Sequence, residues 1–388
     1  MPTSSASPPC LDPAPATEGL RVVHADTLEA FAPHATAWDA LAASLPQTMP
    51  MLSHAWVATW LEGHLSEGGR PLGLFAYAGA RLVGVLAGLL LPRRVLGLAR
   101  ERFRVPCAYV TEDGDLALAP DRAVEALGAL LAALRRTQPR CLAVDLGGVR
   151  DDSPTLEAVR AGVAGWSVAM DVDVTGASIP LDGGFEAWEA GLGKSLRKSF
   201  RSGRNRLRRE GRELVHVAYR GSDARPEQLE DLAALEAAGW KGREGTAIAS
   251  REESRTKYGS LARRFAAQGR LEWHHFLIGD ELAAARMVIR YDQGLMLLRS
   301  AYDERFRRFN PGNLSLHLLM ADAFERGVTG EINLVTDWPW CRPWNMRHRP
   351  YRWMRLTPRR PVAWLGLALP ARARRAGRRI PGLGRLRR

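Results

Sequence analysis

Three arginines, Arg305, Arg307 and Arg308, stand just ahead of the run Asn310-Pro311-Gly312-Asn313. An apolar stripe of Leu314, His317, Leu318, Ala321 and Phe324 follows at helical spacing. A helix that starts here leaves its first backbone N–H groups without partners and points the positive end of its dipole at the same place. Gly312 permits close approach, and the arginines add charge. The stretch therefore has the chemistry of a phosphate cradle, with Gly312, Asn313 and Leu314 as expected N–H donors and Arg307, Arg308 and Asn310 around them. Solvated arginines on an ordinary strand-to-helix turn would look the same in isolation.

Other residues could carry proton transfer or recognition. His274 and His275 are adjacent in an apolar run predicted to be a strand, so alternation sends their side chains to opposite faces. Either could be a base or proton relay, or a structural histidine at a strand end. Asp337 follows the predicted strand EINLV and is a candidate base or a loop-capping residue. Trp240-Lys241-Gly242 is predicted to end a helix, with Gly242 at the C-cap. Trp338, Trp340 and Trp344 surround Arg342, a grouping suited to stacking on a sugar or nucleotide, or to a domain interface.

The elements that must position these residues read as a mixed α/β fold. Within 20–182, a strand LRVVHA, two helices, a hairpin about Ala78-Gly79-Ala80-Arg81, a strand FRVPCAYV, a helix after Asp121 as N-cap, a strand CLAVDLGGV, a helix begun by Ser153-Pro154 and a strand SVAMDVDV are predicted in turn. Within 183–358 comes much the same order: helices, LVHVAY, more helix, a three-strand meander, the helix after Pro311, EINLV, a Trp-rich loop and YRWMRL. The repeated order predicts a tandem duplication, flanked by tails at 1–19 and 359–388.

Charge is concentrated. The formal net charge is +13, and only four lysines occur. Residues 194–212 hold nine basic side chains against Glu210, and 359–388 hold ten arginines and no acid, which leaves the rest of the chain slightly acidic. That distribution argues against a general nucleic-acid-binding surface. In 194–212, Leu196, Phe200, Gly203 and Leu207 share one helical face and arginines stripe the face beside it. The stripe is a solvated face or a contact for an anionic acceptor, a phosphate or a lipid surface. The last segment puts a short apolar run ahead of eight arginines and suits either lying on an anionic leaflet or a disordered basic tail that binds nothing in particular. Residues 1–19 have no signal-peptide pattern, and the four cysteines show neither pairing nor metal-ligand spacing. These features predict a cytoplasmic protein with no metal, peripheral on the inner face of the cytoplasmic membrane through 359–388.

Three separated segments, EAAGWKGREGTAI from Glu236, AYDERFRRFNPG from Ala301 and EINLVTDWPWCRPW from Glu331, together resemble the CelD-like branch of the GNAT acyltransferases. That branch is often labelled as cellulose- or exopolysaccharide-biosynthesis acetyltransferase and is related to FemAB-type double-GNAT transferases. The resemblance covers about 185–358. It implies two GNAT domains and transfer of an acyl group from acetyl-CoA, or another short acyl-CoA, to an amine or hydroxyl of an amino sugar, sugar nucleotide or envelope-glycan precursor. It further implies that Arg307 to Leu314 stand where the CoA pyrophosphate binds, in a version of the loop with one glycine. Asp337 would lie where GNAT sites open, and Lys241 and Trp240 would contact substrate or phosphate beside Trp340, Arg342 and Trp344. The chain departs from the family at Asn333, Thr336 and Arg342, where Asp, Gly and Lys are usual, which puts a carried-over acid or base in question. Two alternatives stay open: a FemAB-type transferase taking its donor from aminoacyl-tRNA, and an inactive double-GNAT binding module.

Overall fold

The computed structural model describes residues 19–47, 49–65, 68–106, 114–292, 294–335, 337 and 339–363, with backbone alone for 172–174. Thr336, Trp338 and most of both tails lie outside these residues.

Strand β1 (Arg21–Ala25) leads to helices α1 (Ala35–Ala43) and α2 (His54–His64), the hairpin β2 (Arg70–Ala78) and β3 (Arg81–Val95), and β4 (Leu98–Arg104). Short β5 (Ala117–Leu118), α3 (Ala123–Thr137), β6 (Cys141–Arg150), α4 (Pro154–Ala161) and β7 (Trp166–Pro180) complete the first half. Two expectations shift here. Of the strand predicted at FRVPCAYV only Phe103 and Arg104 are strand, as the end of β4, which starts earlier at Leu98 and stops before Pro106, a residue with no N–H for a ladder; Cys107–Val110 lie outside the described residues. Asp121 does not cap α3. Pro120 starts a 3-10 turn that delays the helix to Ala123, and Asp121 receives a bidentate pair from Arg81 at 2.7 and 2.9 Å.

The second half gives α5 (Phe185–Gly191), α6 (Lys194–Arg209), β8 (Leu214–Arg220), α7 (Leu229–Ala238), α8 (Trp240–Arg243) and α9 (Glu252–Ala267). The meander β9 (Leu271–Ile278), β10 (Glu281–Tyr291) and β11 (Gly294–Tyr302) precedes α10 (Pro311–Glu325), β12 (Glu331–Asn333) and β13 (Arg347–Pro358). Gly239, not Gly242, is the C-cap of α7, so that helix ends three residues before Lys241, which lies in α8. Gly242 is needed for another reason: a Cβ there would run into the backbone of Ala237.

All strands join one sheet in the order β1-β2-β3-β4-β6-β13-β7-β12-β11-β10-β9-β8, with β5 beside β3. The order is palindromic about the β13–β7 pair. The last strand of each half has crossed into the sheet of the other: β13 sits between β6 and β7, and β7 between β13 and β12. The central β13–β7 ladder is antiparallel from Arg347↔Ser178 to Pro358↔Trp166. Apart from the sheet, α2 meets α9, where Trp56 packs on Phe265 and Arg264 pairs with Glu62 at 2.6 Å.

Two cores cover opposite faces of the second half's strands. Trp273, Ala285, Met287 and Ile289 join the larger core with α7, α9 and the first half. Phe276, Ala284, Val288 and Leu295 join a second core under α5, α6 and α10. The buried face of α6 is the predicted one: Leu196, Phe200, Gly203 and Leu207.

Candidate functional site

Strand β11 ends at Tyr302, and Asp303 caps the 3-10 turn Glu304–Phe309 by accepting the Arg305 N–H at 2.8 Å. Asn310 then turns the chain with left-handed backbone (φ 60°, ψ 47°), which Asn tolerates better than most residues, and its amide donates to Ser199 Oγ at 3.2 Å. Pro311 starts α10, where its missing N–H costs nothing. Leu314 N–H is spent on Asn310 O at 3.1 Å and its side chain is buried, so the expected third donor is not free. Among the described residues, the N–H groups of Gly312 and Asn313 have no protein acceptor, and they are the two donors this helix start offers.

Helix α6 forms the other wall. A Cβ on Gly203 would sit 2.5 Å from Phe309 O and 3.0 Å from Leu314 Cδ1, so only glycine lets the helix come this close to the turn. Arg206 donates to Arg308 O at 2.6 Å. Between α6 and the turn lies a cleft of about 450 Å³, whose lining includes Ser199, Arg206, Tyr302, Arg307, Gly312 and Asn313. Arg308 also borders it, but its guanidinium pairs with Glu210 at 2.6 Å and stacks on Phe309. The basic helix and the arginine-rich turn, far apart in sequence, thus face one another across one cleft.

Beside the cleft the sheet opens. Strands β11 and β12 run parallel and pair only at Leu295↔Ile332 and Met296↔Asn333, while β11 continues to Tyr302. Asn333 ends β12 by accepting Val335 N–H at 2.7 Å. Among the described residues, the edge of β11 beyond Met296 therefore has no strand partner on that side. Lys241 occupies part of it, donating to Ser300 O at 2.9 Å and to buried Glu236 at 2.5 Å. Glu236 also accepts from Arg299 at 2.5 Å and from Ile248 N–H at 3.0 Å. Burial lowers the Lys241 pKa. The Lys241 ammonium, expected on a substrate or phosphate, is here bonded to Glu236 and the strand.

The remaining predicted residues divide. Asp337 lies four residues past the end of β12, with Oδ2 3.4 Å from Nδ1 of His348 on β13 and a buried Oδ1 that has no hydrogen-bond partner among the described residues. Trp240 is half-exposed, and its N–H donates to Glu304 at the start of the turn, 3.0 Å away. Trp340 and Arg342 are exposed. Trp344 is not available for stacking on a ligand, because it is fully buried between Trp188 and Phe200 with centroids at 6.2 and 5.6 Å. His274 and His275 do face opposite sides of the sheet, but neither lines the cleft. His274 bridges His216 at 2.9 Å and Glu272 at 3.1 Å. Burial opposes ionisation of Glu272, but hydrogen bonds from His274 and Arg326 overcome it and hold the carboxyl down at about 2. This network is tied to Arg326, just past the C-terminal end of α10, whereas the cleft lies at its start. His275 sits under α7, edge-on to Tyr219, 3.8 Å from Asp231.

Residues 194–340 match the family model described as an acetyltransferase (GNAT) domain. That stretch is a GNAT domain. Among solved structures, the crystal structure of FemX superposes with a TM-score of 0.59 at 13% identity, over 82% of this chain and 95% of that one. A conserved protein of unknown function from Bacteroides thetaiotaomicron superposes with a TM-score of 0.50 at 13% identity, over 87% and 100%. No curated protein matches the chain. With the palindromic sheet, these likenesses make the fold a tandem GNAT fold.

The first half has the GNAT order of elements but not the cleft. Its β4 and β6 stay paired from Glu101↔Cys141 to Arg104↔Asp145, the ladder runs on through Val105 N–H to Asp145 O, and a Gly114–Gly147 bridge continues it. At the start of α3 the arginines are already neutralised, Arg81 by Asp121 and Arg122 by Glu125. The open edge, and an arginine beside the helix start with no acid to neutralise it among the described residues, belong to the second half. Sequence reasoning missed Ser199, Arg206 and Tyr302 as cleft residues. Only Arg206 carried a signal, as part of the basic run, and nothing in the spacing linked that run to Gly312.

Proposed function

We propose that the protein is an acyltransferase whose C-terminal GNAT domain takes acetyl-CoA or another short acyl-CoA in the cleft between α6 and α10. The observation that carries this reading is the pairing of two features: free N–H donors at Gly312 and Asn313 with Arg206 and Arg307 beside them, and the adjoining unpaired edge of β11. The first suits a diphosphate. The second suits the amide-bearing arm that links a diphosphate to a thioester. An acceptor amine or hydroxyl attacks the thioester carbonyl, its proton passes to a base, the C–S bond breaks and CoA leaves as the thiol or thiolate. Asp337 is the proposed base, since it follows β12, the strand that pairs with β11, and keeps one carboxylate oxygen unbonded among the described residues. The acceptor we favour is an amino sugar, sugar nucleotide or envelope-glycan precursor, with exposed Trp240, Trp340 and Arg342 to stack on it or pair with it. The CelD-like assignment stays part of this proposal.

One observation favours a second reading, a FemAB-type transferase with an aminoacyl-tRNA donor. Lys194, Lys198, Arg201, Arg208 and Arg209 on α6, and Arg212 just beyond it, are exposed and make no ion pair among the described residues, so a cationic face flanks the cleft. Calorimetry with acetyl-CoA, CoA, ADP and aminoacyl-tRNA separates the two. The first reading requires CoA to bind more tightly than ADP and fails if it does not; tight binding of the charged tRNA alone establishes the second.

A further inference from the structure

Arg286 projects from β10 beneath the first turn of α10 and is 4% exposed. Its Nη2 donates to Gly312 O at 2.7 Å and to Ser315 Oγ at 2.8 Å, while its Nε is buried with no acceptor. It forms no ion pair among the described residues. The neighbouring charges make matters worse: Lys241 feels the repulsion of both Arg299 and Arg286, and the acid beside it, Glu236, is already shared by Lys241 and Arg299. Burial pushes the guanidinium down to about 9 from its ordinary 12.5. A buried cation without a counter-charge is destabilising unless something else offsets it.

The contact with Gly312 suggests what does. The Gly312 carbonyl and the Asn313 N–H are two ends of one planar peptide group. The N–H end is one of the two free donors at the cleft. A cation donating to the carbonyl end draws electron density away from the nitrogen and strengthens the N–H as a donor. We propose that Arg286 is a positioning residue that transmits its charge through the Gly312–Asn313 peptide to an anion bound in the cleft, so that the anion is the missing counter-charge. This rests on reading the cleft as the CoA diphosphate site, and it adds a residue outside the cleft lining that sets the preference for an anion over a neutral group. Ser315, the second acceptor, fixes the guanidinium so that the bond to Gly312 O is kept.

The test is calorimetric titration of CoA into wild type, Arg286→Gln and Arg286→Lys across a series of NaCl concentrations. Gln keeps a donor for Gly312 O and removes the charge, whereas Lys keeps the charge. Arg286→Gln should bind CoA about tenfold more weakly, the scale of one charge-assisted hydrogen bond, and its affinity should fall less steeply with salt. Arg286→Lys should retain the wild-type salt dependence. A purely structural role for Arg286 would weaken binding with the salt dependence unchanged, and that result, or unchanged affinity in Arg286→Gln, overturns the inference. If Arg286→Gln does not fold, as judged by its melting transition, a flattened salt dependence in Arg286→Lys overturns it instead. Failure of the wild type to bind CoA would sink the reading of the cleft and is thereby told apart from failure of this inference.

Discussion

Gly203 of α6 and Phe309 of the turn approach so closely that a methyl group on the first would lie 2.5 Å from the carbonyl oxygen of the second. Both are held by chain geometry rather than by flexible side chains, so neither can yield cheaply. Gly203→Ala should therefore cost about 1–3 kcal/mol as overpacking, despite the better helix propensity of alanine. A shift of the urea midpoint checks the stability. If the variant is as stable as wild type and binds CoA equally well, the helix and the turn are not rigidly apposed.

The arginines at the cleft differ in what already holds them. Arg308 has Glu210, an exposed pair that contributes little to stability, whereas Arg307 has no ion-pair partner among the described residues. Arg307→Ala and Arg206→Ala should each weaken CoA binding by about tenfold or more, the worth of a hydrogen bond to a charged group. Arg308→Ala should weaken it less. Parallel calorimetry of the three variants ranks them, and a dominant loss at Arg308 would contradict this order.

Asp337→Asn should leave CoA affinity near wild type and lower kcat by roughly a hundredfold or more, the range expected for a lost general base. Steady-state rates with the acceptor that proves active, alongside CoA titration, separate the two effects. Equal losses in binding and turnover would point to a disturbed loop, not a lost base.

Acid should destabilise the fold in two steps. Burial lowers the pKa of His317, His274, His275 and His216, the last to about 4, below the ordinary 6.5. The neutral rings are built in: His317 Nδ1 lies 2.9 Å from Arg204 Nη2, and a ring nitrogen facing a guanidinium must be an acceptor. The unfolded chain takes up protons first, so this stability is complete above pH 6.5 and is lost as pH falls toward the lowered folded values. Glu272, held at about 2 against an ordinary 4.5, contributes above pH 4.5, and that share disappears as pH drops toward 2. The melting temperature should be flat from pH 7 to 8 and fall between about 6.5 and 4. A melting temperature that rises on acidification over that range would contradict the histidine assignments.

The basic tail can be tested without touching the core. Ala363 is fully buried against Val95, Leu142 and Ala143, so truncation should follow it. Among the described residues, no helix is long and apolar enough to cross a membrane. If the eight arginines of 364–388 dock the protein on an anionic leaflet, the chain ending at Ala363 should no longer co-sediment with phosphatidylglycerol vesicles while the full chain does. Equal sedimentation of both would remove the tail from the account.

Much of the fold could be read from the sequence because it rests on local periodicity. The stripe Leu196, Phe200, Gly203, Leu207, the alternation at His274 and His275, and the Ser153-Pro154 helix start are signals within a few residues, and each has its place in the structure. The turn and helix start at Pro311-Gly312 were legible for the same reason. What escaped depends on pairings across long stretches of chain. Trp344 reads as a ligand-stacking indole until α5 and α6 close over it. Lys241 reads as a free cation until Glu236, five residues back, is found beneath it. No pattern in the sequence reveals that YRWMRL inserts beside CLAVDLGGV rather than beside EINLV.

That insertion has a consequence for how the molecule is made. During synthesis β6 and β7 emerge long before β13, the strand that separates them, and until it arrives the first half carries two unsatisfied ladder edges in the middle of its sheet. The nascent chain is then open to capture by the β13 of another copy, which would give an intertwined pair with both sheets complete. Fast threading of Arg347–Pro358 would keep the chain single, and a slowed final step at high concentration would favour the exchanged dimer.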